Sequence, residues 1–98
     1  MGGLVHKAAV TGFARTLESL LSAGVPILEV LEITSETVGN WVMEKAVLDV
    51  QTRVKAGESM YVPMGDRAIF PGMVTQMVAV GEETGAVDIM LQKVRRVL

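Results

Sequence analysis

Hydrophobic positions along this chain recur at helical spacing, and glycine or proline stands between one run and the next. Phe13, Leu17, Leu20 and Leu21 occupy i, i+4, i+7 and i+8, one face of an α-helix, while Arg15, Glu18, Ser19 and Ser22 fill the other face. Gly24 follows where a left-handed residue is wanted to end a helix, and Pro26 opens the next. That second helix is expected over about 26–38, with Ile27 or Leu28, Leu31 and Val38 inward. Val30 and Ile33 broaden its apolar stripe, so it should be covered on more than one side. Gly39 stops it, and Asn40 is suited to cap the free N–H groups of a third helix. The third helix, about 41–56, buries Met43, Ala46, Val47, Val50 and Val54. Lys45/Asp49 and Asp49/Arg53 are opposite charges four apart on its wet face.

Gly57 ends that helix, and Ser59 is the expected cap of a short fourth one around Met60 to Met64, weakened by Pro63. After an irregular stretch, Pro71 opens a fifth helix to about Thr84, with Met73, Val74, Met77 and Val78 inward. Gly85 breaks it. A sixth runs from about Ala86, burying Val87, Met90, Leu91, Val94 and Leu98, with Arg95 and Arg96 in its last turns where cations suit the helix dipole. No segment alternates with the period of a strand, and the connections are short. The expected fold is all-α, an antiparallel bundle of about six short helices. The last helix reaches Leu98 with no cap and no polar tail, which predicts that residues 1–98 are one domain cut from a longer chain.

Composition narrows the chemistry. Half of the 98 residues are hydrophobic but only four are aromatic, so the core must be aliphatic, with seven methionines available to it. Nine basic against eleven acidic side chains offer no clustered positive charge for a nucleic-acid backbone. The absence of cysteine removes disulfides, thiolate metal sites and a cysteine nucleophile. The single histidine, His6, lies in a terminus expected to fray, far from any candidate base role. Mean hydropathy is high at +0.42. Even so, the richest apolar stretch, Met73 to Gly81, is broken by Thr75 and Gln76 and stopped by Glu82 and Glu83, too short to span a bilayer. The surplus apolar surface is expected to face a partner.

From FARTLESLLSAGVPILEVLEI (Phe13 to Ile33), through GNWV (Gly39 to Val42) and VKAGES (Val54 to Ser59), to FPGMVTQMVAVGEETGAVDIML (Phe70 to Leu91), the sequence resembles the GspF/PilC family. These are the inner-membrane platform proteins of bacterial type II secretion and type IV pilus assembly. The motifs come in the family's order and span about 85 of the 98 residues. FART, GN and FPxMVxQMVxVGEETG look like the second of the family's homologous cytoplasmic domains, the one preceding the last membrane helix. The resemblance implies a helical bundle, in agreement with the punctuation. Two departures stand out. Gly12, preceded by Thr11, replaces a basic residue common before the FART phenylalanine, which predicts a later start of the first helix. The chain also ends inside the sixth helix, where family members continue toward the membrane.

Several residues are candidates for function. Glu82, Glu83 and Asp88 could gather a divalent cation, since hard cations take several oxygen ligands, or serve as a carboxylate pair. Alternatively, Asp88 only complements the dipole of the sixth helix and one glutamate pairs with Arg15. Met73, Met77 and Met90 could form a plastic binding groove or simply fill the core. Trp41 is either an interface anchor or a cover for the end of the bundle. GEETG lacks the lysine and glycine spacing of a phosphate loop, and its carboxylates would repel phosphate.

The resemblance implies a non-catalytic scaffold on the cytoplasmic face of the bacterial inner membrane, in a protein that meets the membrane through segments outside this chain. There it would couple the hexameric assembly ATPase to extraction of pilin or pseudopilin subunits, beside other platform subunits. The apolar surplus fits self-association into dimers or more. The charged face of Lys45, Asp49, Arg53 and Lys55 fits a polar contact with the ATPase. No cofactor is implied beyond a divalent cation at the acidic cluster. Other classes open at this point are a small helical hydrolase using Glu82 and Asp88, and a cation-binding or nucleic-acid-binding regulatory module outside secretion, although no helix-turn-helix signature is present.

Overall fold

Six helices follow one another in the computed structural model, which describes residues 2–97, with side chains from Lys7 to Val97. They are α1 (Gly2–Ser22), α2 (Ile27–Thr37), α3 (Trp41–Lys55), α4 (Tyr61–Gly65), α5 (Gly72–Thr84) and α6 (Val87–Val97). No strand occurs among the described residues. The helix ends fall at the predicted punctuation. Gly24 and Gly85 adopt φ of 84° and 74°, conformations that side chains with a Cβ resist, and each turns the chain at a helix C-terminus. At the start of α3 the Asn40 Oδ1 accepts from the Met43 N–H at 2.9 Å, as its position predicted.

Each helix packs against its sequence neighbours, and α6 returns to α1, so the six close into a ring around one core. α1 and α6 run antiparallel. The Ser22 hydroxyl at the end of α1 meets Asp88 at the start of α6, while Glu18, a turn earlier, meets Arg95 near the end of α6. Phe13, Leu17, Leu31, Met43, Met60, Met64 and Leu91 are fully buried inside. The Phe13 and Phe70 rings lie 5.1 Å apart in a tilted contact, within the range of favourable aromatic pairs.

Four expectations from the residue pattern are corrected. α1 begins at Gly2, not later: Ala9 and Val10 are buried and extend the Phe13–Leu17 stripe backwards. Gly12 lies inside it, because one interior glycine costs only about 1 kcal/mol, less than buried stripe residues return. Glu18 is not on the wet face; it is 7% exposed and bonded to Arg95. α2 buries Val30, Leu31, Thr34 and Ser35, with Ile27 and Val38 only partly covered. The hydroxyls of Thr34 and Ser35 are satisfied by the carbonyls of Val30 (2.7 Å) and Glu32 (2.6 Å), which lets polar residues enter the core. In α5 the buried positions are Val74, Val78 and Gly81, and Met73 turns outward. The inward position expected for Leu98, and the His6 side chain, lie outside the described residues.

Candidate interaction surface

Large apolar side chains left in solvent mark the surfaces most able to meet a partner. Trp41, the first residue of α3, is 68% exposed. Asn40 fixes the start of the helix, and the Lys45 ammonium sits 4.1 Å from the Trp41 ring centroid, holding the indole against α3. Leu48, also exposed, follows at the next turn of the same stripe, and Val42 lies beside Trp41. Trp41 does not cover the end of the bundle; with Lys45 and Leu48 it forms an outward ridge. The i, i+4, i+7 spacing of Trp41, Lys45 and Leu48 was a signal in the sequence that the pairing of Lys45 with Asp49 obscured.

Asp49 and Arg53 of α3 are committed to other partners. Asp49 faces Arg67 at 3.6 Å instead of Lys45 or Arg53. Arg53 uses its whole fork: Nε and Nη2 donate to both Glu58 oxygens at 2.9 and 2.8 Å, and Nη1 donates to Asp66 at 2.6 Å. Hydrogen bonding to Arg53 holds the Glu58 carboxyl below its ordinary range. Glu58 and Asp66 push the Arg53 guanidinium upward in turn. Of the expected polar set Lys45, Asp49, Arg53 and Lys55, only Lys55 is exposed and uncommitted among the described residues.

A second surface lies where α4 meets α5. Ser59, Tyr61, Ala79, Glu82 and Glu83 line a shallow groove, with Val80 exposed on α5 and Met73 two turns before it on the same stripe. Met77 and Met90 are half-buried, Met77 against the core. Ser59 does not cap α4. The Glu82 carboxylate takes that role from the neighbouring α5, accepting from the N–H of Met60 at 2.8 Å and of Tyr61 at 3.1 Å. It therefore does not pair with Arg15, which lies exposed on the far side, between α1 and α6. Glu83 is exposed, and Asp88 accepts from the Ser22 hydroxyl at 3.3 Å. Among the described residues no three acidic or histidine side chains converge to hold a metal, so Glu82, Glu83 and Asp88 do not assemble as a ligand set. Glu82→Gln removes one of two acceptors and should cost about 1–2 kcal/mol by urea unfolding, against under about 0.5 kcal/mol for Glu83→Gln. Equal losses would mean that Glu82 does not cap α4.

Among the described residues no helix is long and apolar enough to cross a membrane. Residues 13–98 match the family model described as type II secretion system (T2SS), protein F. Type IV pilus assembly protein PilC of Thermus thermophilus is 47% identical over 94 residues, 95% of this chain and 23% of that protein. Its counterpart in Myxococcus xanthus is 43% identical over 93 residues, 95% of this chain and 22% of that protein. Type II secretion system protein F of Pseudomonas aeruginosa is 33% identical over 96 residues, 98% of this chain and 24% of that protein. The chain thus spans about a quarter of the length of these relatives.

Proposed function

The chain belongs to the type II secretion system protein F family, and from that premise we propose that it is a non-catalytic docking domain of an inner-membrane platform, on the cytoplasmic face of the membrane. In this reading it couples an assembly ATPase to assembly of pilin or pseudopilin subunits, beside other platform subunits and further copies of itself. Nucleotide hydrolysis belongs to the ATPase. A ring of packed helices suits the work because dense interiors transmit displacement with little deformation.

The observation that carries the reading is the Trp41–Lys45–Leu48 ridge. A tryptophan 68% exposed on a capped helix, already held in one orientation, loses little freedom when a partner covers it. The ridge is the proposed contact with the ATPase, and Lys55 supplies charge about two turns beyond Leu48, at the C-terminal end of α3. Titrating the chain with the purified assembly ATPase of its own machine should give saturable binding. Trp41→Ala should weaken it at least tenfold, about 1.4 kcal/mol or more, without changing the thermal melt. Binding indifferent to Trp41→Ala moves the contact elsewhere, and an absence of binding removes the coupling role.

A further inference from the structure

Charge is divided unevenly around the ring. α1 and α6 carry Lys7, Arg15, Lys93, Arg95 and Arg96 against Glu18 and Asp88, while α2 carries Glu29, Glu32 and Glu36 and no basic residue. Between α1 and α6 lies a groove lined by Thr11, Arg15, Glu18, Gln92, Arg95 and Arg96, and it shares Thr11 and Arg15 with a hollow along α1 that also holds Lys7. Arg95 is turned into its floor and neutralised by Glu18. Lys7, Arg15 and Arg96 remain along its rim, all exposed and in no ion pair among the described residues. Glu29, Glu32 and Glu36 stand three and four apart on one stripe of α2, and they too are exposed and unpaired among the described residues.

We propose that two copies of the chain associate head to tail, the Glu29–Glu32–Glu36 stripe of one seated over the α1–α6 groove of the other, against Lys7, Arg15 and Arg96. The lengths agree: at 1.5 Å per residue the glutamates span about 10 Å of helix, and Lys7 to Arg15 spans about 12 Å. Three uncommitted anions meet three uncommitted cations. A contact of this kind sets orientation and association rate more than affinity, so it is weak, reversible and sensitive to salt. Ile89 lies on the same α6 stripe as Lys93 and Arg96 and is 51% exposed, adding apolar surface near the charged rim. Because the two faces differ, each copy keeps one face open after pairing, and the contact can repeat, into a ring where the rotation between copies closes and into a filament where it does not. The inference rests on the self-association in the preceding reading and is independent of the ATPase contact.

Sedimentation velocity over a concentration series tests it, using two triple variants. One is Glu29→Gln, Glu32→Gln and Glu36→Gln; the other is Lys7→Gln, Arg15→Gln and Arg96→Gln. The altered residues have no ion-pair partners among the described residues, and unchanged circular dichroism melts confirm that both variants fold. At about 0.02 M salt the unmodified chain should form dimers and larger species, weakened at least tenfold at about 0.5 M, where the screening length falls several-fold. Each variant alone should associate at least tenfold more weakly, and an equimolar mixture should recover a 1:1 dimer and nothing larger. Association that survives both sets of substitutions, or is lost in only one, overturns the head-to-tail contact and leaves self-association standing. So does a mixture that stays monomeric. An unmodified chain that is monomeric at low salt overturns both.

Discussion

Arg95→Ala should cost the fold about 3 kcal/mol, read as a fall of roughly 2 M in the urea midpoint with the slope unchanged. The Glu18 side chain is 9% exposed, and its bond to Arg95 is the ion pair joining α1 to α6 among the described residues. Removing the guanidinium leaves a nearly buried carboxylate without its partner at the floor of the α1–α6 groove. Breaking buried pairs in this way costs about 3–5 kcal/mol, and the lower figure applies because the Arg95 side chain is 36% exposed. The pair itself is not the source of that stability. Desolvating two charges offsets most of their attraction, so Glu18→Leu with Arg95→Met should return to within about 1 kcal/mol of the unmodified chain. A single-variant loss below about 1 kcal/mol would show that Glu18 does not depend on Arg95.

Gly81→Ala should lower stability by about 3 kcal/mol and the melting temperature by roughly 12–20 °C. A Cβ at this position would stand 2.6 Å from the Val87 Cα and 3.0 Å from its N, both backbone atoms of α6 that no rotamer change can move. The Gly81 carbonyl also accepts from the Ala86 N–H at 2.8 Å, so parting α5 from α6 strains the turn between them as well. In an open helix the same substitution gains about 1 kcal/mol, and steric overlap reverses its sign here. Gly12→Ala is the matching control. It lies inside α1 with nothing within 4 Å of its Cβ, and should stabilise by about 0.5–1 kcal/mol. A melting temperature unchanged or raised in Gly81→Ala would mean that the α5–α6 corner is looser than described.

These two residues also show where the sequence was legible. Gly24, Gly39, Asn40 and Gly85 act on the backbone within a few residues of themselves, so helix ends could be read locally. Met43, Ala46, Val47 and Val50 keep a strict apolar spacing, and α3 buries all four as expected, with Val54 only partly covered. α5 did not. Its buried stripe passes through Gly81, a residue that carries no hydrophobic signal, and the visible methionines drew the phase toward Met73. Glu18 and Glu82 were misread for a different reason. Their partners lie 77 and 22 residues away, and a charged side chain announces neither the distant cation nor the distant N–H groups that justify its burial. The candidate surface was half legible: Trp41 was singled out, but whether it faced solvent depended on how α3 turned against its neighbours. The GspF/PilC motifs reported family membership through another channel, residue identity in order, which needs no knowledge of packing.

The closed ring bears on how the chain reaches its fold. α2–α3 and α5–α6 join segments adjacent in sequence and can form early, whereas the α1–α6 seam joins residues 77 apart. Closing a loop of that length costs on the order of 4 kcal/mol of chain entropy before the seam returns anything. At about 5–20 residues per second, a ribosome finishes α6 roughly 4–15 s after the matching part of α1. For that interval α1 has no partner on the side that α6 will cover, and α6 completes the bundle.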